Sequence, residues 1–166
     1  RQDLYLSHDP FTEGVRFEEF LESYNHRLIV LNVKEDGLES ACLELLARFG
    51  VSEYFFLDQP IPSLVRGGLQ GFRDVACRLS EFESIESLKL QAPFAKWVWV
   101  DFFMEPKIRV GLFETLRSLG LKICLVSPEL HSIGRSQEVR ELREILLTQG
   151  VTPDAVCTKY PERWVP

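Results

Sequence analysis

The sequence predicts an α/β fold: an incomplete (β/α)8 barrel of parallel strands with outer helices, forming a single domain over residues 1–166. Three observations predict it. Short apolar runs alternate with longer amphipathic segments from end to end. Several runs are apolar on both faces, as strands covered on both sides must be. Each run carries a polar or charged residue at or near its C-terminal end.

The expected strands are DLYLS (3–7), RLIVLNVK (27–34), EYFFLD (53–58), DVACRLS (74–80), WVWVDFF (97–103), KICLVS (122–127) and AVCTK (155–159). They are rich in Val, Ile, Phe, Tyr and Trp, which suit a pleated, buried surface. Between them, FEEFLESY (17–24) predicts a short helix. LESACLELLARFG (38–50) predicts a longer one closing on Gly50, and KIRVGLFETLRSLG (107–120) repeats the device with Pro106 near its start and Gly120 past its end. SQEVRELREILLTQG (136–150) does so a third time, with Ser136 as N-cap. SEFESIESLKL (80–90) holds a turn or two. The βα repeat implies right-handed crossovers and a parallel sheet. No Gly-rich phosphate loop follows a strand, which disfavours an open nucleotide-binding sheet. A closed barrel takes eight strands, so the count gives about three-quarters of one.

Composition excludes several classes. A hydrophobic content of 45% supports a real core. The formal charge of −6 disfavours nucleic acid, which needs a basic face. No apolar run approaches the roughly 20 residues of a membrane span. The four cysteines show no metal-ligand spacing; Cys77, Cys124 and Cys157 lie in strand-like runs and Cys42 in a helical pattern. Buried free thiols in a reducing cytoplasm are expected.

In βα folds the C-terminal strand ends form the mouth where chemistry occurs. Asn32 and Lys34 end the second run on one face. Asp58, Arg78 and Asp101 end the next three, Glu129 follows the sixth, and Lys159 ends the last. Lys34, Arg78 and Lys159 concentrate positive charge suited to a phosphate, with Asn32 and Trp99 lining the same pocket. Asp58, Asp101 and Glu129 either bind a hard cation such as Mg²⁺ or Ca²⁺ or pair with these bases. His8, beside Asp9, is the expected proton carrier. His26 and His131 read as surface residues. Polar residues also end strands simply because the chain is leaving the core.

With these residues in place, the pattern resembles the glycerophosphodiester phosphodiesterase family of metal-dependent barrels. LYLSHDP is similar to that family's strand-then-His-Asp motif. LIVLNVKEDGLE is similar to its strand ending in Glu-x-Lys, with Asn32 at the Glu position and Lys34 matching the Lys. AVCTKYPERW is similar to its final strand ending Thr-Asp-Tyr-Pro, with Lys159 at the Asp position. The resemblance implies hydrolysis of a small or lipid-derived phosphodiester. His8 would act as general acid or base, Lys34 would stabilise phosphoryl charge, and a divalent ion would assist. Family members carry two earlier strands, ending in His-Arg and Glu-x-Asp, that have no counterpart here. The expectation is therefore a chain inactive without them, whose exposed barrel edges are covered by a partner chain such as a second copy or by a further N-terminal piece, or else leave it marginally stable. A non-catalytic phosphate- or sugar-phosphate-binding domain is the alternative.

Overall fold

The computed structural model describes residues 3–9, 12, 14–35 and 37–164, with Ile133 by its backbone alone. The chain divides into two compact units, Arg1–Gln59 and Pro60–Pro166.

In the first unit, β1 (Tyr5–Leu6) pairs antiparallel with β2 (Val15–Arg16). This corrects the expected parallel strand over 3–7. The run LYL is too short to be covered on both faces, and Tyr5, Leu6 and Val15 are exposed. The intervening turn is closed by its own side chains: Ser7 Oγ donates to the Asp9 carbonyl at 2.7 Å and Thr12 Oγ1 to the same oxygen at 2.8 Å. A side chain at Gly14 would overlap the Leu6 carbonyl, so the return strand needs glycine there. Helix α1 (Phe17–Ser23) follows and buries Phe17 and Leu21. Strands β3 (Ile29–Asn32) and β4 (Tyr54–Leu57) then pair in parallel, joined by α2 (Glu39–Arg48), which buries Cys42 and Leu46. Gly50 adopts φ 69° where α2 ends, the left-handed turn expected there.

The second unit is built on a four-stranded parallel sheet in the order β5 (Ala76–Leu79), β6 (Trp97–Val100), β7 (Lys122–Val126), β8 (Ala155–Cys157). Sequential neighbours pair throughout, as repeated βα units require. All four residues of β6 are buried. The crossovers carry α4 (Ile85–Gln91), α5 (Leu112–Ser118) and α6 (Ser136–Gln149), whose buried faces are led by Leu88, by Phe113 and Leu116, and by Val139, Leu142 and Leu146.

Three local expectations need correction. Helix α3 (Ile61–Leu69) precedes β5 where no helix was expected, because Gly67 and Gly68 lower its intrinsic propensity. Helix α5 begins five residues later than its pattern suggested, since Gly111 enters it in the left-handed conformation, φ 79°. Ser136 is the first helical residue of α6 rather than its cap; Arg135 holds the cap position. The architecture is thus mixed α/β with six α-helices among the described residues, none long and apolar enough to cross a membrane.

Candidate functional site

Register fixes which side chains share a face of the second unit's sheet. Arg78, Trp99 and Cys124 are aligned, and Val126 is aligned with Cys157. Asp101, two residues beyond Trp99, continues the same face past the end of β6. The C-terminal rim therefore gathers Arg78, Asp101 and Cys157, and the loop after β7 adds Ser127, Glu129 and His131.

Asp101 is the centre of this rim. It is 3% exposed, yet it accepts from Arg78 Nη1 at 2.6 Å through Oδ2. Its Oδ1 lies 2.6 Å from His131 Nε2 and accepts from the Phe102 amide at 2.9 Å. An ionised carboxylate only accepts, so the proton on this contact sits on Nε2 of His131. The Phe103 ring packs against the imidazole at 4.8 Å between centroids and lies 6.0 Å from the Arg78 guanidinium. Two charged side chains hold the loop after β6. Glu81 accepts from the amides of Phe103 and Met104, both at 3.1 Å. Arg135 donates Nη1 to the carbonyls of Phe102 and Phe103 at 2.8 and 3.1 Å while its other nitrogens grip Glu138. Burial pushes the Glu81 carboxyl up, but the loop amides outweigh it and leave it below the usual range.

Glu129 forms a second node. It is 1% exposed; Ser127 Oγ donates to Oε2, while Thr158 Oγ1 (2.5 Å) and the Lys159 amide (3.1 Å) donate to Oε1. Burial raises this carboxyl and the donors more than offset it, so it too titrates below the ordinary range. Trp164 Nε1 donates to Ser127 Oγ at 3.1 Å, tying the segment after β8 to the end of β7. The Cys157 thiol is pushed up by burial and then by the charges of Asp101 and Glu129, which makes it a poor nucleophile. Beside Asp101 a groove of about 840 Å³ runs between the loop after β5 and the loop after β6, with Glu81, Phe102 and Met104 among its lining.

The expected site residues are distributed as follows. Arg78, Asp101 and Glu129 lie at the rim just described, and Trp99 is buried on the same sheet face. Lys159 reaches the rim through its backbone amide, while the residue itself is exposed. In the first unit, Asn32 Nδ2 donates to Asp58 Oδ2 at 2.8 Å, joining the tips of β3 and β4. Asp58 is the sole non-glycine residue with positive φ (59°) among the described residues, a conformation that Asp tolerates and that recurs where polar side chains must be aimed. Lys34 is exposed. The His8 imidazole is 97% exposed, with Nδ1 3.2 Å from Asp9. His131, expected at the surface, is exposed as a residue, while its imidazole is 24% exposed and bound to Asp101. Its signal was available: it follows Glu129 by two residues in the loop after a strand whose neighbours all end in charge.

Among the described residues no three His, Cys, Asp or Glu side chains gather as a metal-binding group. Both oxygens of Asp101 and of Glu129 already accept from protein donors. No protein-family model matches the chain, and no curated protein matches it.

Proposed function

We propose that the rim of the four-stranded sheet is part of a phosphodiester-hydrolysing site on an incomplete (β/α)8 barrel of glycerophosphodiester phosphodiesterase type. One observation carries this reading: a buried carboxylate, Asp101, holds a histidine and an arginine together at the C-terminal strand ends. His131 is then the group that moves a proton to or from an ester oxygen. Asp101 fixes its tautomer and supports the imidazolium when it forms. Arg78 adds a fixed positive charge where an anionic phosphoryl group would rest. This gives His131 the role expected of His8.

The test is turnover of bis(4-nitrophenyl) phosphate by the full natural polypeptide, with Mg²⁺ or Ca²⁺ and with chelator. Replacing His131 by Ala is expected to lower turnover by about 10²- to 10⁴-fold, the usual contribution of general acid–base catalysis. Unchanged turnover in His131→Ala would end this reading. A second reading, a phosphate-binding domain without turnover, is favoured by the three protein donors that Asp101 and Glu129 each already accept. Saturable binding of phosphate that is weakened by Arg78→Ala, with no turnover under any metal condition, is its signature.

A further inference from the structure

Apolar side chains exposed singly need no explanation, whereas a fixed, contiguous group of them beside polar chemistry does. Leu90 on α4 and Leu147 on α6 are of the first kind. Phe82, in the loop after β5, and Phe103, in the loop after β6, are of the second. They are 74% and 42% exposed, and their rings touch at 5.6 Å between centroids with planes tilted by 59°.

Polar groups pin the backbone beneath both rings. The Phe82 amide donates to Ser80 Oγ at 3.0 Å, and that hydroxyl donates in turn to Glu83. Glu81, the residue before Phe82, accepts from the amides of Phe103 and Met104 and so ties the two loops together. Arg135 holds the Phe102 and Phe103 carbonyls. The row of rings then continues inward. Phe103 meets the His131 imidazole at 4.8 Å, and His131 meets the buried Asp101. The Arg78 guanidinium lies 6.0 Å from the same Phe103 ring. Two fixed, partly exposed rings therefore adjoin the histidine and arginine of the rim.

We propose that Phe82 and Phe103 bind the aromatic group of an aryl phosphate ester whose phosphoryl group lies beside Arg78 and His131. The proposal rests on the hydrolytic reading in placing a phosphoryl group at that rim, and it adds the substrate class: esters of a planar, aromatic alcohol. Any apolar wall would serve an aliphatic chain. A tilted ring pair offers a third ring both face and edge, which adds a stacking contribution to the apolar surface removed from water. The net charge of −6 opposes docking of these rings on an anionic membrane, which favours a free ligand.

The experiment is a calorimetric titration of the full natural polypeptide with phenylphosphonate, cyclohexylphosphonate and methylphosphonate. Phenylphosphonate is expected to bind saturably, at least about tenfold more tightly than either of the others. Phe82→Leu keeps apolar bulk and loses the ring, and is expected to narrow that preference to within about twofold. Phe82→Tyr should retain it. Because Phe82 is 74% exposed, both variants should keep the native Tm. Equal binding of the phenyl and cyclohexyl ligands, or a preference untouched by Phe82→Leu, would overturn the assignment. So would the absence of saturable binding, or binding to phosphatidylcholine vesicles without binding of free phenylphosphonate. Failure of the hydrolytic reading looks different: turnover would be independent of His131 while the preference for the phenyl ligand stands.

Discussion

His131 Nε2 lies 2.6 Å from Asp101 Oδ1, across thirty residues of sequence, and the same carboxylate holds Arg78 at 2.6 Å. An acceptor shared by two donors is sensitive to replacement by an amide. In Asp101→Asn the single remaining oxygen serves only one of them, and the amide NH₂ faces the other. The imidazole can answer by moving its proton to Nδ1, so that Nε2 accepts. Nitrogen NMR of His131 is expected to report Nε2–H in the native protein and the other tautomer in the variant. Turnover by the proposed hydrolase should fall by up to about 10⁴-fold, as loss of tautomer control does elsewhere. Urea unfolding should show a loss of about 3 kcal/mol, because Arg78 is left beside a neutral group at a largely buried site. Retention of the Nε2–H tautomer would show that Asp101 does not orient this ring.

Glu129 gives a pH prediction with a definite sign. Its carboxyl titrates below the ordinary range in the folded chain and near the reference value of about 4.3 when unfolded. A depressed folded pKa contributes stability that is complete above the unfolded value and is lost as pH falls through the folded one. Glu129→Gln should therefore be less stable by about 2 kcal/mol at pH 7, the scale of hydrogen bonds to a buried charge. The gap should narrow below about pH 4.3. Denaturant midpoints of both proteins from pH 7 down to pH 3 measure it. A gap independent of pH would mean that the donors around Glu129 do not depend on its charge.

The parallel sheet was legible because β6 is a continuous apolar run, β5 and β7 are interrupted only by Arg78 and by the leading Lys122, and helical patterns separate the three. Asp101 and Glu129 were legible as rim residues for the same reason: a charge after such a run has few places to go. What they bind was not. The partners of Asp101 come from 23 and 30 residues away, and no local periodicity encodes that meeting. The strand expected before His8 forms only over Tyr5–Leu6 and pairs antiparallel with Val15–Arg16, because three apolar residues cannot supply a strand covered on both faces. The imidazole at its end consequently faces water.

Thiol chemistry offers a check on the core. Burial pushes Cys42 up to about 11 and Cys77 up to about 12, and raises Cys124 further still. At pH 8 a thiol of pKa 11 is about one part in a thousand thiolate, so attack on a disulfide reagent is slow. None of the four cysteines should react within minutes in native buffer, and all four should react in denaturant. Cys157, less buried and restrained by Asp101 and Glu129, should be the first to become reactive in Asp101→Asn. Rapid native labelling of Cys77 or Cys124 would contradict the packing of the sheet.

Helix α3 supplies a paired prediction in which adjacent, chemically identical changes have opposite signs. A methyl group at Gly68 would sit 2.6 Å from Phe94 Cβ and 2.8 Å from its Cα, where the helix presses on the turn before β6. The backbone of Phe94 cannot yield without moving that turn, so Gly68→Ala is expected to cost about 2 kcal/mol through overpacking. At Gly67 the nearest atom is the Phe72 ring at 3.5 Å, an ordinary contact. There the variant gains helix propensity and loses unfolded-state freedom, so Gly67→Ala should stabilise by about 0.5 kcal/mol. Thermal midpoints of the two variants, measured side by side, should move in opposite directions. Equal shifts would mean that α3 does not pack against Phe94.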